Sequence, residues 1–87
     1  MTAERCKMIE MVLRERLGPT ELVVTDEGAA HVGHAGAGGA GHFRVIIVSE
    51  RFRGQSRIAM HRLVNAALGH LFGTEIHALA IEARAPD

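Results

Sequence analysis

The first seventeen residues carry apolar side chains at the spacing of an amphipathic helix. These positions recur every three or four residues, at Cys6, Ile9, Leu13 and Leu17, which places them on one face of a helix. Gly18-Pro19 follows at once and is typical of a helix end. The pattern predicts a helix over residues 3–17 with one buried face.

Two β-rich segments flank a stretch of small residues. The first covers residues 21–25, and the second covers residues 42–49 with apolar residues on both faces, as in a central strand. Between them, residues 28–41 comprise six glycines, five alanines, two histidines and one valine. Such a segment has little to bury and much entropy to lose on ordering, so a mobile loop is predicted over about 27–41.

A second helix and a third strand follow. Ser56 can cap a helix, continuous or broken, that runs to about Phe72, with an apolar stripe of Met60, Val64, Ala67 and Leu71. Residues 75–83 are predicted to form a strand. One face of that strand is expected to carry His77, Leu79 and Ile81, and the other Ile76, Ala78 and Ala80. The first two strands should pair antiparallel, and the last two, joined through a helix, should be parallel.

Composition narrows the class of protein. With 87 residues the chain is one domain, residues 1–87, of the α+β class. Ten basic and ten acidic residues cancel, which disfavours a surface built wholly for nucleic acid or membrane. The single cysteine, Cys6, cannot form an internal disulfide, and no apolar run approaches membrane-spanning length. We therefore expect a cytoplasmic protein without membrane contact.

The sequence contains no sign of catalytic machinery. No nucleophile stands beside a base, and neither a carboxylate pair nor a phosphate-binding loop is evident. We therefore expect a protein that acts by binding a partner and is not an enzyme.

Histidines are the most notable chemistry, with six in the chain. His31 and His34 lie three apart in the glycine-rich loop and are either metal ligands or incidental. His77 begins the third strand, where an imidazole is either a hydrogen-bonded core residue or a ligand. We expect structural roles for three other histidines. His61 is expected to bond to the preceding turn, His70 to be solvated or packed at an edge, and His42 to anchor the loop. A further hypothesis is that the loop histidines bind a single Zn²⁺ or Ni²⁺ ion.

Several segments, taken in order, resemble the BolA family from about Leu22 to Pro86. They are Thr25-Asp26-Glu27 followed by His31, His42-Phe43-Arg44-Val45 leading to Val48-Ser49, Arg51-Phe52-x-Gly54-x-Ser56, His61-Arg62-Leu63-Val64, and Ile76-His77-Ala78-Leu79-Ala80-Ile81. The resemblance implies an αββααβ fold like a class II KH domain, with a three-stranded mixed sheet packed against helices on one face.

The same resemblance implies a partner and a cofactor. Family members pair with monothiol glutaredoxins around a shared [2Fe-2S] cluster, with glutathione supplied through the partner. The matching ligand here is His77, with His31 or its neighbour His34 as the loop ligand. Cys6 alone cannot build a four-thiolate site, so thiolates must come from another molecule. The implied role is iron–sulfur trafficking or iron sensing. We expect the free chain to be a metal-free monomer or weak homodimer, because two histidines without thiolates are a poor iron–sulfur site.

The alternative is a DNA-binding transcriptional regulator. The segment 44–62 is basic, and Arg51, Arg53 and Arg57 are its candidate contacts. The GxxG loop with which KH domains clamp a nucleotide backbone is missing there, because Gly54-Gln-Ser-Arg57 lacks the second glycine. A solvated basic turn, or a docking surface for an acidic partner, accounts for the arginines at least equally well.

Overall fold

The structure is a computed structural model that describes residues 2–28 and 41–87. Its elements are α1 (Thr2–Leu17), β1 (Glu21–Asp26), β2 (Gly41–Val48), α2 (Arg57–Leu68) and β3 (Ile76–Arg84). Short 3₁₀ turns precede and follow α2, at Glu50–Phe52 and Gly69–Leu71. The α+β class is confirmed. The described residues form two α-helices. In place of the third helix of the expected αββααβ order, the structure has the 3₁₀ turns on either side of α2.

The helix boundaries have local causes. The Ser56 hydroxyl accepts a hydrogen bond from the Ala59 amide at 3.1 Å, which is the predicted N-cap of α2. The predicted end at Phe72 was too late, because the α-helix ends at Leu68 and tightens into a 3₁₀ turn. Gly18 ends α1 with a φ of 50°, a backbone conformation that glycine adopts without strain.

The three strands form one sheet in the order β1-β2-β3. β1 and β2 are antiparallel, whereas β2 and β3 are parallel. Both pairings confirm the prediction, and β2 is the central strand.

Both helices pack on one face of this sheet. The buried core combines side chains from α1, β2 and α2, namely Ile9, Leu13, Leu17, Phe43, Val45, Ile47, Val64, Ala67 and Leu68. On the opposite face, Val23 and Ile46 are 52% and 39% exposed, and neither of the two described α-helices covers them. The expected arrangement of helices on a single face is therefore confirmed. In the described residues, no helix is long and apolar enough to cross a membrane.

A buried hydroxyl links the end of α1 to the end of β2. Ser49 is fully buried, and its Oγ donates to the Leu17 carbonyl at 2.6 Å. The same oxygen accepts from the Arg51 amide at 3.1 Å. This pair of bonds satisfies a helix carbonyl that would otherwise have no partner in the helix, and it fixes the turn that leads to α2.

The start of β3 departs from the predicted alternation. Gly41 pairs with Ile76, but the next residue of β2, His42, pairs with Ala78. His77 is therefore the extra residue of a β-bulge, which shifts the facing of the residues before it. Ile76 is fully buried and His77 is exposed. The prediction that His77 shares the inner face with Leu79 and Ile81 was wrong.

Candidate functional site

The bulge brings two histidines together at one end of the sheet. The imidazole centroids of His42 and His77 lie 5.2 Å apart, with a tilt of 39° between the ring planes. His42 is half-buried and His77 is exposed. His77 is therefore not a core histidine, and its ring is accessible to a partner molecule.

The predicted loop leaves and re-enters the fold beside this pair. The Glu27 amide donates to the His42 carbonyl at 2.8 Å, and the Gly41 amide donates to the Glu75 carbonyl at 3.0 Å. Both ends of the segment are thus held at the end of the sheet that carries His77. The candidate ligands His31 and His34 lie outside the described residues.

Ion pairs hold the elements around the site. The Arg5 Nε lies 3.1 Å from the Glu75 carboxylate, which ties α1 to the turn before Ile76. On the open face, Arg44 lies 2.9 Å from Glu27 and 3.0 Å from Glu82. Hydrogen bonding to Glu27 raises the pKa of Arg44 above its ordinary value. This charge bridge across the sheet is partly exposed, so its contribution to stability is modest.

Close packing beside the bulge favours glycine at position 41. A Cβ added to Gly41 would lie 2.9 Å from two carbons of the Phe43 ring, and Phe43 is 1% exposed. The buried ring has little room to move, so any larger residue would disturb the start of β2 and, with it, the pairing to Ile76.

Cys6 is poorly suited to ligate iron. It is half-buried on α1, and burial, followed by the charges of Asp26 and Glu10, raises the pKa of its thiol. Because the thiolate is the metal ligand, a raised pKa disfavours binding at neutral pH. Among residues 2–28 and 41–87, no three His, Cys, Asp or Glu side chains gather into a metal-binding group. A metal at His77 would therefore need further ligands beyond those residues.

We predict that Cys6 reacts slowly with alkylating reagents. At pH 8, iodoacetamide should modify the folded chain several-fold more slowly than the urea-unfolded chain, because folding disfavours the thiolate. Because folding disfavours the thiolate, the stability of the fold does not depend on this group below the unfolded pKa of about 8.5, and it falls as pH rises from there through the folded pKa. Cys6→Ser should lack that alkaline loss. Equal rates in the folded and unfolded chains would contradict the burial argument.

The three arginines predicted to contact nucleic acid differ in the bonds that they form within the chain. Arg53 forms two hydrogen bonds with the Glu50 carboxylate, at 2.8 and 2.7 Å, and another with the Pro86 carbonyl. Hydrogen bonding to Arg53 lowers the pKa of Glu50. Arg51 donates to the Arg16 carbonyl at 3.0 Å. Arg57 forms no ion pair with any described residue, so the three arginines are not equally free to contact phosphates.

Two histidine assignments change. The His61 side chain forms no hydrogen bond in the described part of the chain and instead lines a surface cleft, so the expected side-chain bond to the preceding turn was wrong. His42 was expected only to anchor the loop, and the structure places its ring beside His77. The signal that could have identified this pair is the expected parallel pairing of β2 with β3, since both histidines lie near the starts of those strands. His70 is exposed, as predicted.

Comparison with known proteins identifies the class. The family model described as BolA-like protein matches residues 13–87. Human BolA-like protein 1 is 45% identical over 78 residues, which cover 90% of this chain and 56% of that protein. The Escherichia coli DNA-binding transcriptional regulator BolA is 38% identical over 84% of this chain and 68% of its own length. This chain belongs to the BolA family. It spans little more than half the length of the human relative.

The fold agrees with a solved structure. The BolA domain of SufE1 from Arabidopsis thaliana superposes with a TM-score of 0.82 at 38% identity, covering 94% of this chain and 92% of that domain. The order and pairing of the elements around His77 are therefore those of a BolA fold.

Proposed function

We propose that this chain is a non-enzymatic adaptor that pairs with a monothiol glutaredoxin and binds a shared [2Fe-2S] cluster as cargo. The observation that carries the proposal is the position of His77. Its imidazole is exposed on a β-bulge at the end of the sheet, where a partner can reach it. A buried histidine at the same sequence position would have no route to an iron atom held by another protein.

The shortage of thiolate ligands in this chain supports the proposed partner. A [2Fe-2S] cluster takes four ligands, and histidine in place of thiolate raises its reduction potential. Cys6 is half-buried with a raised thiol pKa, which leaves imidazoles as the donors this chain can offer. The remaining thiolates would come from the glutaredoxin cysteine and glutathione.

The second ligand is proposed from the loop. Gly28 follows Glu27, whose amide is bonded to the His42 carbonyl, so the chain is close to the histidine pair at that point. His31 follows three residues later, a length that spans at most about 10 Å. We propose that His31, or His34 in its place, is the loop histidine that supplies the second imidazole ligand beside His77.

Reconstitution tests this proposal. The chain is mixed with a monothiol glutaredoxin, glutathione, iron and sulfide, and visible circular dichroism is recorded together with the mass of the complex. We expect a heterodimer whose spectrum differs from that of the glutaredoxin alone, with a higher reduction potential. A stoichiometric cluster on the chain without partner or thiol would contradict the adaptor role. An unchanged glutaredoxin spectrum would contradict histidine ligation.

A second candidate function is DNA binding. It is favoured by the name of the Escherichia coli relative and by Arg57, which has no ion pair in the described residues. Arg51 and Arg53 are held by bonds within the chain, which reduces what they can offer to phosphates. Retention on DNA that falls steeply with salt, and that requires Arg57, would favour this function.

A further inference from the structure

A separate cleft of about 400 Å³ lies between the first turns of α2 and the second half of β3. Its apolar lining includes Ile47, Met60 and Ile81, and its polar lining includes Arg57, His61 and Arg84. An apolar floor with a few charged groups is typical of ligand sites. None of these residues belongs to the histidine pair.

The cleft lies along an edge strand. In the described part of the chain, β3 pairs with β2 and has no strand on its other side. The Ser49 amide donates to the Arg84 carbonyl at 3.0 Å, so the peptide groups of Arg84 point toward the β2 side. Because these directions alternate along a strand, the peptide groups of Ile81 and Ala83 point to the unpaired edge. Such groups can pair with another extended chain.

The charge at the cleft is predominantly positive. Arg57 has no ion-pair partner among residues 2–28 and 41–87, and the first turn of α2 contains no acidic residue. Arg84 lies 3.7 Å from the fully exposed carboxylate of Asp87, a long contact that a competing carboxylate can replace. The acid in the lining, Glu82, is bonded to Arg44 at 3.0 Å. The cleft is therefore complementary to an acidic ligand.

We propose that this cleft binds an extended acidic peptide, which adds to the free edge of β3 as a further strand. Backbone hydrogen bonds to Ile81 and Ala83 would supply affinity, and Arg57 and Arg84 would select carboxylates. Single-stranded nucleic acid fits less well, because it binds by stacking its bases on aromatic rings, and among the described residues the cleft lining contains no Phe, Tyr or Trp and only the His61 imidazole.

The peptide site and the histidine pair can be occupied together. His77 and Arg84 are seven residues apart on β3, which corresponds to about 23 Å along the strand. The proposal does not depend on cluster binding, and each can fail without the other. If both hold, one protein at the histidine end and another at the cleft can engage the chain at the same time.

The test is a titration of the isotope-labelled full chain with the hexapeptide acetyl-Val-Glu-Val-Glu-Val-Glu-amide, followed by amide chemical shifts. We expect the largest shifts at Ile81, Ala83 and the start of α2. Combined Arg57→Glu and Arg84→Glu changes should weaken binding at least about fivefold, whereas Arg14→Glu, an exposed arginine on α1 outside the cleft lining, should not.

Matched probes decide the mode of binding. The same hexapeptide with every backbone amide N-methylated keeps its charge but cannot donate the hydrogen bonds of a strand, and it should not bind. Its lysine counterpart should not bind either. No shift at millimolar acidic peptide, or equal binding of the N-methylated peptide, would overturn strand addition. Tighter binding of a ten-nucleotide oligothymidylate at the same amides would overturn the peptide assignment in favour of nucleic acid.

Discussion

His77→Ala is expected to abolish the histidine-ligated cluster in the complex with a monothiol glutaredoxin. Loss of outer contacts around a metal ligand weakens binding by about 10–100-fold, and loss of the ligand itself should exceed that range. The fold should tolerate the change, because His77 is exposed on a bulge. Visible circular dichroism of the reconstituted heterodimer measures the cluster, and far-ultraviolet dichroism verifies the fold.

The loop histidines should behave differently. His31→Ala is expected to weaken cluster sharing, with His34 substituting, and the double change of His31 and His34 should complete the loss. Arg53→Ala is the control and should leave the cluster spectrum intact, because Arg53 is bonded to Glu50 and the Pro86 carbonyl. A wild-type spectrum from His77→Ala would end the claim that this residue binds iron.

His42→Ala tests whether the second iron ligand is a histidine of the loop or His42 itself. If a loop histidine is the second ligand, removing His42 should weaken the cluster only as loss of a neighbouring contact does, by about tenfold. A loss as complete as that of His77→Ala would instead assign the second ligand to His42, whose ring lies 5.2 Å from that of His77.

Phe52→Ala is expected to be among the most destabilising single changes. Phe52 lies in the 3₁₀ turn before α2 and is 1% exposed within the core. Truncating a buried phenylalanine costs about 3–5 kcal/mol through lost transfer energy and a residual cavity. For a domain of this size that loss corresponds to a fall in Tm of at least about 12 °C. Thermal and urea unfolding measure both quantities.

The chain offers a matched control for this change. Phe72 carries the same side chain but is 37% exposed, so Phe72→Ala should cost no more than about 1 kcal/mol. Comparable losses from the two substitutions would show that the core does not depend on Phe52 as the structure indicates. Neither change should alter the cluster spectrum at temperatures where the variant remains folded.

Local sequence patterns were sufficient to predict the helices and the order of the elements. The stripe of Ile9, Leu13 and Leu17 is buried as its spacing predicts, because side chains three or four apart share one face of a helix. Ser56 caps α2 because its hydroxyl reaches an amide three residues away. Pairing of the strands followed from the lengths and types of their connections. These features depend on neighbours along the chain.

The site depended on contacts between distant residues. The resemblance to BolA proteins pointed to His77, but strict alternation placed its side chain on the inner face of the sheet. A one-residue slip between Gly41 and His42 on β2 reverses that facing, and the slip is a property of two strands meeting, which neither strand encodes alone. The proximity of His42 to His77, 35 residues away, arises from the same pairing.

The availability of the arginines was also decided by contacts between residues that are distant in the sequence. The sequence established that the segment 44–62 is basic, but only the fold determined which arginines remain available. Arg44 is neutralised by Glu27 and Glu82, which are 17 and 38 residues away, while Arg57 is left unpaired among the described residues beside the edge of β3. Composition determines how many charges a chain has, and tertiary packing determines which of them meet, because Coulomb energy depends on distance in space.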